Sequence, residues 1–178
     1  MQHKLTIVVP AYNTKKYLRK CLDSLVNQTL NDIEIRCINY GSKNNSHIIL
    51  NKYAKKDSRI KIFNKFNGEL SSARNMGIEN ARDHYINFLD LDDYVENNVY
   101  ELALSRFVND KVNLAHFSTN LVIEANNCER YNLYYFQHKF LGLIKFTSYV
   151  INNSDIFDWD NIYKFSIINN FGISPSIR

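Results

Sequence analysis

The residues best suited to chemistry form one short run, Phe88-Leu89-Asp90-Leu91-Asp92-Asp93, at the end of an apolar stretch. In an extended chain alternate side chains point the same way, so Asp90 and Asp92 are expected on one side and Leu91 on the other. Two carboxylates displayed together after a hydrophobic strand make a hard-oxygen site suited to Mg²⁺ or Mn²⁺. Such an ion completes its shell with phosphate oxygens and so favours a diphosphate ligand. An acidic cluster ahead of a helix has a second reading, as charge complementing the helix N-terminus. The run alone does not separate the two.

Other polar turns point to the same place. Val9-Pro10-Ala11-Tyr12-Asn13 ends an apolar run, with proline fixing the turn and Tyr12 offering a flat face for a nucleobase. Asn39-Tyr40-Gly41-Ser42 combines a polar group, an aromatic ring and a glycine turn. Asn67-Gly68-Glu69-Leu70-Ser71 opens a segment running through Ala73-Arg74-Asn75-Met76-Gly77, which brings a cation. Each turn alone is ordinary turn chemistry. Four of them converging on one edge make a ligand crevice the stronger reading.

That convergence requires a particular order of elements. Apolar, β-branched runs predict strands over 5–9, 33–38, 59–63 and 85–89. Between them, one-face apolar spacing predicts helices over 15–28, 45–56 and 70–81. Asn13 or Thr14 is the candidate N-cap of the first helix. Ile48, Ile49 and Tyr53 are the expected inward residues of the second. This βαβαβαβ order implies an α/β fold: a mostly parallel sheet with helices on both faces. Ligands of such sheets bind beyond the carboxyl ends of the strands, where strand order reverses. Past Asp93 a helix is expected over 98–108 through Val99, Leu102, Ala103 and Phe107, and a strand over 114–123. Residues 131–140 are aromatic-rich without a clean period. Residues 148–161 read as a loop, followed by a short helix over 163–169. No proline- or glycine-rich linker intervenes, so 1–178 is expected to form a single domain.

Composition removes several function classes. With 178 residues, 45% hydrophobic and 22% charged, the chain can bury one sizeable core. The net charge is +4 but Lys and Arg are dispersed, so nucleic-acid binding is not indicated. A mildly basic surface suits anionic substrates or anionic lipid. Three cysteines without a Cys-x-x-Cys pair give no disulfide framework, and reduced thiols in a cytoplasmic protein are expected. Ile7-Val8-Val9 is too short for a signal sequence or a transmembrane segment. A cytoplasmic protein is expected, with room for peripheral association at the inner face of the membrane. No Gly-x-Gly-x-x-Gly follows the first strand, which sets aside a dinucleotide-binding dehydrogenase.

The stretches VVPAYN (8–13), KYLRKCLDSLVNQTLNDIEI (16–35), YGSKNNS (40–46), NGELSSARNMGIENA (67–81) and YINFLDLDD (85–93) resemble glycosyltransferase family 2. Trp159-Asp160-Asn161-Ile162-Tyr163-Lys164 is similar to that family's W-x-K-L-Y-K segment. The resemblance implies a Rossmann-like GT-A fold and inverting transfer from a nucleotide-diphosphate sugar, with a UDP-sugar expected. The acceptor would be a polysaccharide or a lipid-linked glycan, as in bacterial surface-polysaccharide synthesis. It also implies that residues 1–95 hold the donor and 96–178 form the acceptor side. Pro10, Ala11 and Tyr12 would line the base pocket, and Asn39 stands at the position that reads the uracil edge. Arg74 would lie near the nucleotide and Asp90 near the ribose. Leu91 would complete the donor site, and Asp92 would ligate the Mg²⁺ or Mn²⁺ that bridges the diphosphate.

Departures from the family accompany these matches, among them Leu91, which stands where the family often has a small residue. The acidic D-D-G-S-x-D stretch reads Asn39-Tyr40-Gly41-Ser42-Lys43-Asn44 here. The E-D motif that supplies the general base, expected beyond the tryptophan segment, is not met before Arg178. Asp158 and Asp160 are the late carboxylates that could serve, with a solvated loop beside Trp159 as the alternative. A catalytically silent module that binds a nucleotide sugar is therefore the second expectation.

Overall fold

β-Branched runs alternate with amphipathic segments through the first half of the chain, and the runs become strands and the segments helices. The computed structural model describes residues 5–13, 15–66, 69–110, 114–116, 121–122, 128–129, 137–138 and 161–164. In chain order the first elements are β1 (Leu5–Ala11), α1 (Leu18–Val26), β2 (Ile33–Asn39) and α2 (Ser46–Lys56). Next come β3 (Ile60–Asn64), α3 (Leu70–Asn80), β4 (Tyr85–Phe88) and α4 (Val99–Asp110). Short strands follow: β5 (Leu114–His116), β6 (Leu121–Val122), β7 (Cys128–Glu129), β8 (Gln137–His138) and β9 (Asn161–Lys164).

The main sheet has seven strands in the order β3-β2-β1-β4-β9-β5-β8, and β6 and β7 pair separately. β1, β2, β3 and β4 pair in parallel, β9 lies antiparallel between β4 and β5, and β8 lies antiparallel to β5. The expected mostly parallel sheet is therefore present, and its order reverses between β1 and β4. One face is covered by α1, α2 and α4 through Leu18, Leu22, Leu25, Leu50, Tyr100 and Phe107. On the other face Ala73 of α3 packs with Val8, Ile38, Ile86 and Phe88. Both faces of β1 are thus covered, which is why its apolar run does not alternate.

β1 continues through Pro10 to Ala11 instead of closing at Val9. In a parallel ladder successive residues bond to alternate neighbours. Val8 faces β4, accepting the Leu89 N–H at 3.0 Å, and Ala11 faces β2, accepting the Tyr40 N–H at 3.2 Å. Pro10 therefore faces the β4 side, where pairing ends at Val8 and Phe88. Its missing N–H breaks no ladder bond.

Several local expectations need correction. α1 starts at Leu18 behind a turn, with Tyr17 at the N-cap position and no side-chain cap, so Asn13 does not cap it. Ile48 is 55% exposed and Leu50 takes its place inside. Leu102 is likewise 52% exposed, while Tyr100 and Leu104 are buried. The segment expected as one strand over 114–123 contributes to two separate sheets. The helix expected from 163 begins instead in strand β9. Ile162 and Tyr163 are buried in opposite cores, the period of two that a strand imposes. Residues 131–136, 139–160 and 165–169 lie outside the described residues, as do Thr14, Asn67 and Gly68.

Gly77 sets how closely α3 approaches the sheet. A Cβ at this position would sit 2.4 and 2.6 Å from the two Val8 methyls. Gly77→Ala is therefore expected to lower stability by ~1–2 kcal/mol, overpacking outweighing the better helix propensity of alanine. Denaturant unfolding of Gly77→Ala, Val8→Ala and the double variant checks this. Because Val8→Ala removes the clashing methyls, the double variant should lose less than the sum of the single losses.

Candidate functional site

β1 and β2 end side by side, with Ala11 opposite Asn39. Beyond them the two chains are tied together by short polar bonds. Asn13 has φ of 52°, a left-handed conformation that asparagine tolerates better than most residues. Its N–H donates to Ser42 Oγ at 3.2 Å, and its Oδ1 accepts the Lys43 N–H at 3.0 Å. Ser42 Oγ in turn donates to the Ala11 carbonyl at 3.3 Å. Gly41, with φ of 96°, allows the β2 chain to turn there.

On this base Tyr12 and Tyr40 stack, their centroids 5.2 Å apart and their planes 18° from parallel. Tyr12 is 41% exposed, so an aromatic surface remains at the carboxyl edge. Beside it the Asn39 amide is oriented by two contacts. Its Oδ1 accepts the Ser42 N–H at 3.3 Å, and its Nδ2 donates to Asn64 Oδ1 at 3.0 Å. The Ser42 N–H can only donate, which settles which end of the amide carries oxygen. One N–H and one lone pair of the Asn39 amide are left over for a ligand.

Opposite these groups, α3 carries Arg74 and the segment after β4 carries Asp90. Arg74 Nη2 donates to both Asp90 oxygens, at 3.1 and 3.2 Å. The Arg74 side chain is 7% exposed and that of Asp90 27%. A guanidinium so deeply placed requires a paired carboxylate. The Tyr40 hydroxyl pKa is pushed up, first by burial and then by Asp90 and Tyr12, with Arg74 opposing. Aromatic pair and ion pair thus share one electrostatic neighbourhood.

The acidic run is not the extended strand end that the alternation argument assumes. β4 stops at Phe88, and residues 90–93 form a turn closed by the Asp93 N–H donating to the Asp90 carbonyl at 3.1 Å. Leu91 is buried with α1 and α4, whereas Asp92 is exposed. Below the turn Cys21 donates its S–H to the Asp90 carbonyl at 3.8 Å. Its thiol pKa is raised well above the ordinary value, mainly by burial, then by Cys37 and the carboxylates of Asp93, Asp90 and Asp92. It therefore remains a protonated donor.

Among the described residues no group of three or more His, Cys, Asp or Glu side chains could hold a metal ion. The donor set fits a divalent cation in a narrower sense. Asp90 is committed to Arg74, while Asp92 is an exposed carboxylate, and one carboxylate with diphosphate oxygens and water satisfies Mg²⁺ or Mn²⁺.

Of the residues picked out from sequence, Pro10, Ala11, Tyr12, Asn39, Arg74, Asp90, Leu91 and Asp92 gather at the carboxyl ends of β1, β2 and β4 and on α3. Asp158 and Asp160 lie outside the described residues. Sequence reasoning passed over Asn13 and Asn64 as site builders, and over Tyr40 as the partner of Tyr12. A polar residue at or just past the end of each parallel strand was the available signal for Asn64. Among the described residues no helix is long and apolar enough to cross a membrane.

The chain is similar to several known proteins. The chain is 47% identical over 97 residues to an uncharacterized glycosyltransferase, EpsJ, of Bacillus subtilis, covering 54% of this chain and 28% of EpsJ. It is 39% identical over 116 residues to a chondroitin synthase of Pasteurella multocida, covering 65% of this chain and 12% of the synthase. Staphylococcus aureus TarS 1–349 in complex with UDP-GlcNAc superposes with a TM-score of 0.74 at 20% identity, covering 96% of this chain and 48% of that one. The mannosyltransferase PcManGT of Pyrobaculum calidifontis, in complex with GDP-Man and Mn²⁺, superposes with a TM-score of 0.69 at 12% identity, covering 97% and 47%. The chain thus spans less than a third of these two sequence relatives and about half of the two structures, whose likeness shows the GT-A fold. Residues 6–171 match the family model described as glycosyl transferase family 2, and to that family the chain belongs.

Proposed function

We propose that this chain binds a nucleotide-diphosphate sugar, a UDP-sugar first, at the carboxyl edge between β1 and β4, and that it transfers the sugar with inversion. The acceptor in this reading is a polysaccharide or lipid-linked glycan, a lipid-linked one calling for peripheral contact with the inner face of the membrane. One observation carries the proposal: an exposed aromatic stack, an oriented amide, a buried ion pair and an exposed carboxylate meet at one edge. The chondroitin synthase relative and the nucleotide-sugar complexes of TarS and PcManGT support it.

Each group has a distinct task. The base stacks on Tyr12, beside Pro10 and Ala11, and Asn39 reads its edge with the free N–H and lone pair. Asp90, held by Arg74, accepts from a ribose hydroxyl through its exposed side. Leu91 anchors the turn in the core so that Asp92 faces the diphosphate. A Mg²⁺ or Mn²⁺ ion bound there would neutralise charge on the leaving diphosphate. The remaining requirement is alignment of an acceptor hydroxyl on the face opposite the leaving group. Residues 1–95 hold the donor, and 96–178 form the acceptor side of the same domain. No general base is assigned among the described residues.

Nucleotide diphosphate should bind more tightly with Mn²⁺ than without it, and Asp92→Ala should abolish the gain while leaving metal-free affinity near the parental value. Calorimetry in both conditions measures this. Equal affinities with and without metal in the parent would overturn the metal role of Asp92.

Asn39→Asp is expected to tighten uridine diphosphate by about 1 kcal/mol, because a carboxylate accepts the uracil N–H through a charge-assisted bond. The Asn64 amide can rotate to donate to the new carboxylate. Affinities for uridine, cytidine, guanosine and thymidine diphosphates on both proteins test the assignment, and weaker uridine binding by the variant counts against it. Donor turnover on glycan acceptors then separates a transferase from a silent binding module.

A further inference from the structure

Residues 89–98 join β4 to α4 and carry the acidic turn, yet they contain no helix or strand that would hold it in place. The segment is held instead from α1 and the residues just past it. Cys21 and Ser24 lie on α1, and Gln28 continues their spacing of three and four positions. Cys21 donates to the Asp90 carbonyl, and Ser24 Oγ accepts the Val95 N–H at 3.3 Å. Gln28 Nε2 donates to the Glu96 carbonyl at 2.7 Å and to the Ser24 carbonyl at 3.0 Å. The Thr29 N–H donates to the Asn97 carbonyl at 2.7 Å. Lys20 Nζ lies 3.6 Å from the centre of the Tyr94 ring.

Two features set these contacts apart from ordinary packing. From Cys21 onward they run in register, later residues on one segment meeting later residues on the other. Apart from Tyr94, they also grip the 90–97 segment by its backbone. Such a grip fixes the path of the segment while leaving the Asp92 side chain uncommitted. Gln28 is polar yet only 4% exposed, and both bonds of its Nε2 end on carbonyls. Its Oε1 makes no hydrogen bond among the described residues. A buried amide satisfied at one end alone stabilises the fold little.

We infer that Ser24 and Gln28 are positioning residues for the donor site, holding the 90–97 segment so that Asp92 is presented to the diphosphate. This rests on the assignment of Asp92 to the metal, and it concerns side chains that touch neither donor nor ion. Outer groups that orient a ligand to a metal commonly change metal affinity by about 10–100-fold when replaced. The geometry gives Gln28 that kind of leverage, through the peptide backbone instead of through a side chain.

The test uses Gln28→Met, which keeps the length of the side chain and removes both donors. Glu96 O keeps its bond from the Val99 N–H, so the variant should unfold near the parental temperature. Hydrogen exchange on the metal-free protein should show the Val95 and Val99 amides exchanging about 10-fold faster or more, with β1 amides unchanged. The gain in nucleotide diphosphate affinity on adding Mn²⁺ should fall by about 10-fold, with metal-free affinity unchanged. Ser24→Ala should do the same and Ser24→Thr should restore it, which keeps the test alive if Gln28→Met does not fold. Parental exchange at Val95 together with a parental Mn²⁺ gain would overturn the inference. If Asp92→Ala also keeps the gain, the metal assignment fails instead, and the exchange of Val95 alone decides whether the segment is held as described.

Discussion

Burial of β1 on both faces is the constraint from which the rest of the site follows. Its odd-numbered residues lie against α1, α2 and α4, and Val8 lies against α3. With no face left for solvent, β1 must sit at the centre of a parallel sheet, and its neighbours can leave only through crossover helices. The parallel register then brings the ends of β1 and β2 to one edge, with β4 and the start of its acidic turn beside them. Gly77 tightens this arrangement by letting α3 lie directly on Val8. The same close approach sets the depth at which Arg74, three residues earlier, meets Asp90.

Charge is distributed unevenly along the site. At the end formed by β1 and β2, Asn39 and the tyrosine pair are neutral, and their contacts are hydrogen bonds and stacking. At the other end Arg74 neutralises Asp90, while Asp92 is turned toward solvent. Two carboxylates two positions apart therefore differ in character because one is spent on a buried cation. Sequence proximity suggests a paired metal clamp. The ion pair instead gives the two different surroundings.

Much of this was legible in the residues before any coordinates. The apolar β-branched runs and helical patterns through Asp93 marked the alternating elements, and the polar strand ends marked the edge. What escaped was decided by tertiary contact. Tyr163 reads as the start of a helix in isolation and joins a strand instead, because the antiparallel slot between β4 and β5 buries it and Ile162 on opposite faces. Leu102 fits the helical stripe of α4, but the sheet meets Tyr100 and Leu104. Pro10 reads as a stop, and only the early end of β4 pairing makes it harmless inside β1. At the site, Tyr12 was legible as an aromatic platform. Its stacking on Tyr40 depended on a seam of Asn13 and Ser42 bonds that neither turn encodes alone.

That stack has a thermodynamic consequence. An isolated exposed tyrosine samples several rotamers, and a ligand that uses its ring must first confine it. Tyr40 supplies part of that confinement, so a flat ligand arriving on Tyr12 would meet a ring whose torsional entropy is already reduced. The aromatic area that Tyr40 covers is also dry before the ligand arrives. Desolvation on association is then restricted to the outer face of the platform. Binding of a flat ligand at this end should accordingly carry a small negative heat-capacity change, confined to one ring face and the group that meets it.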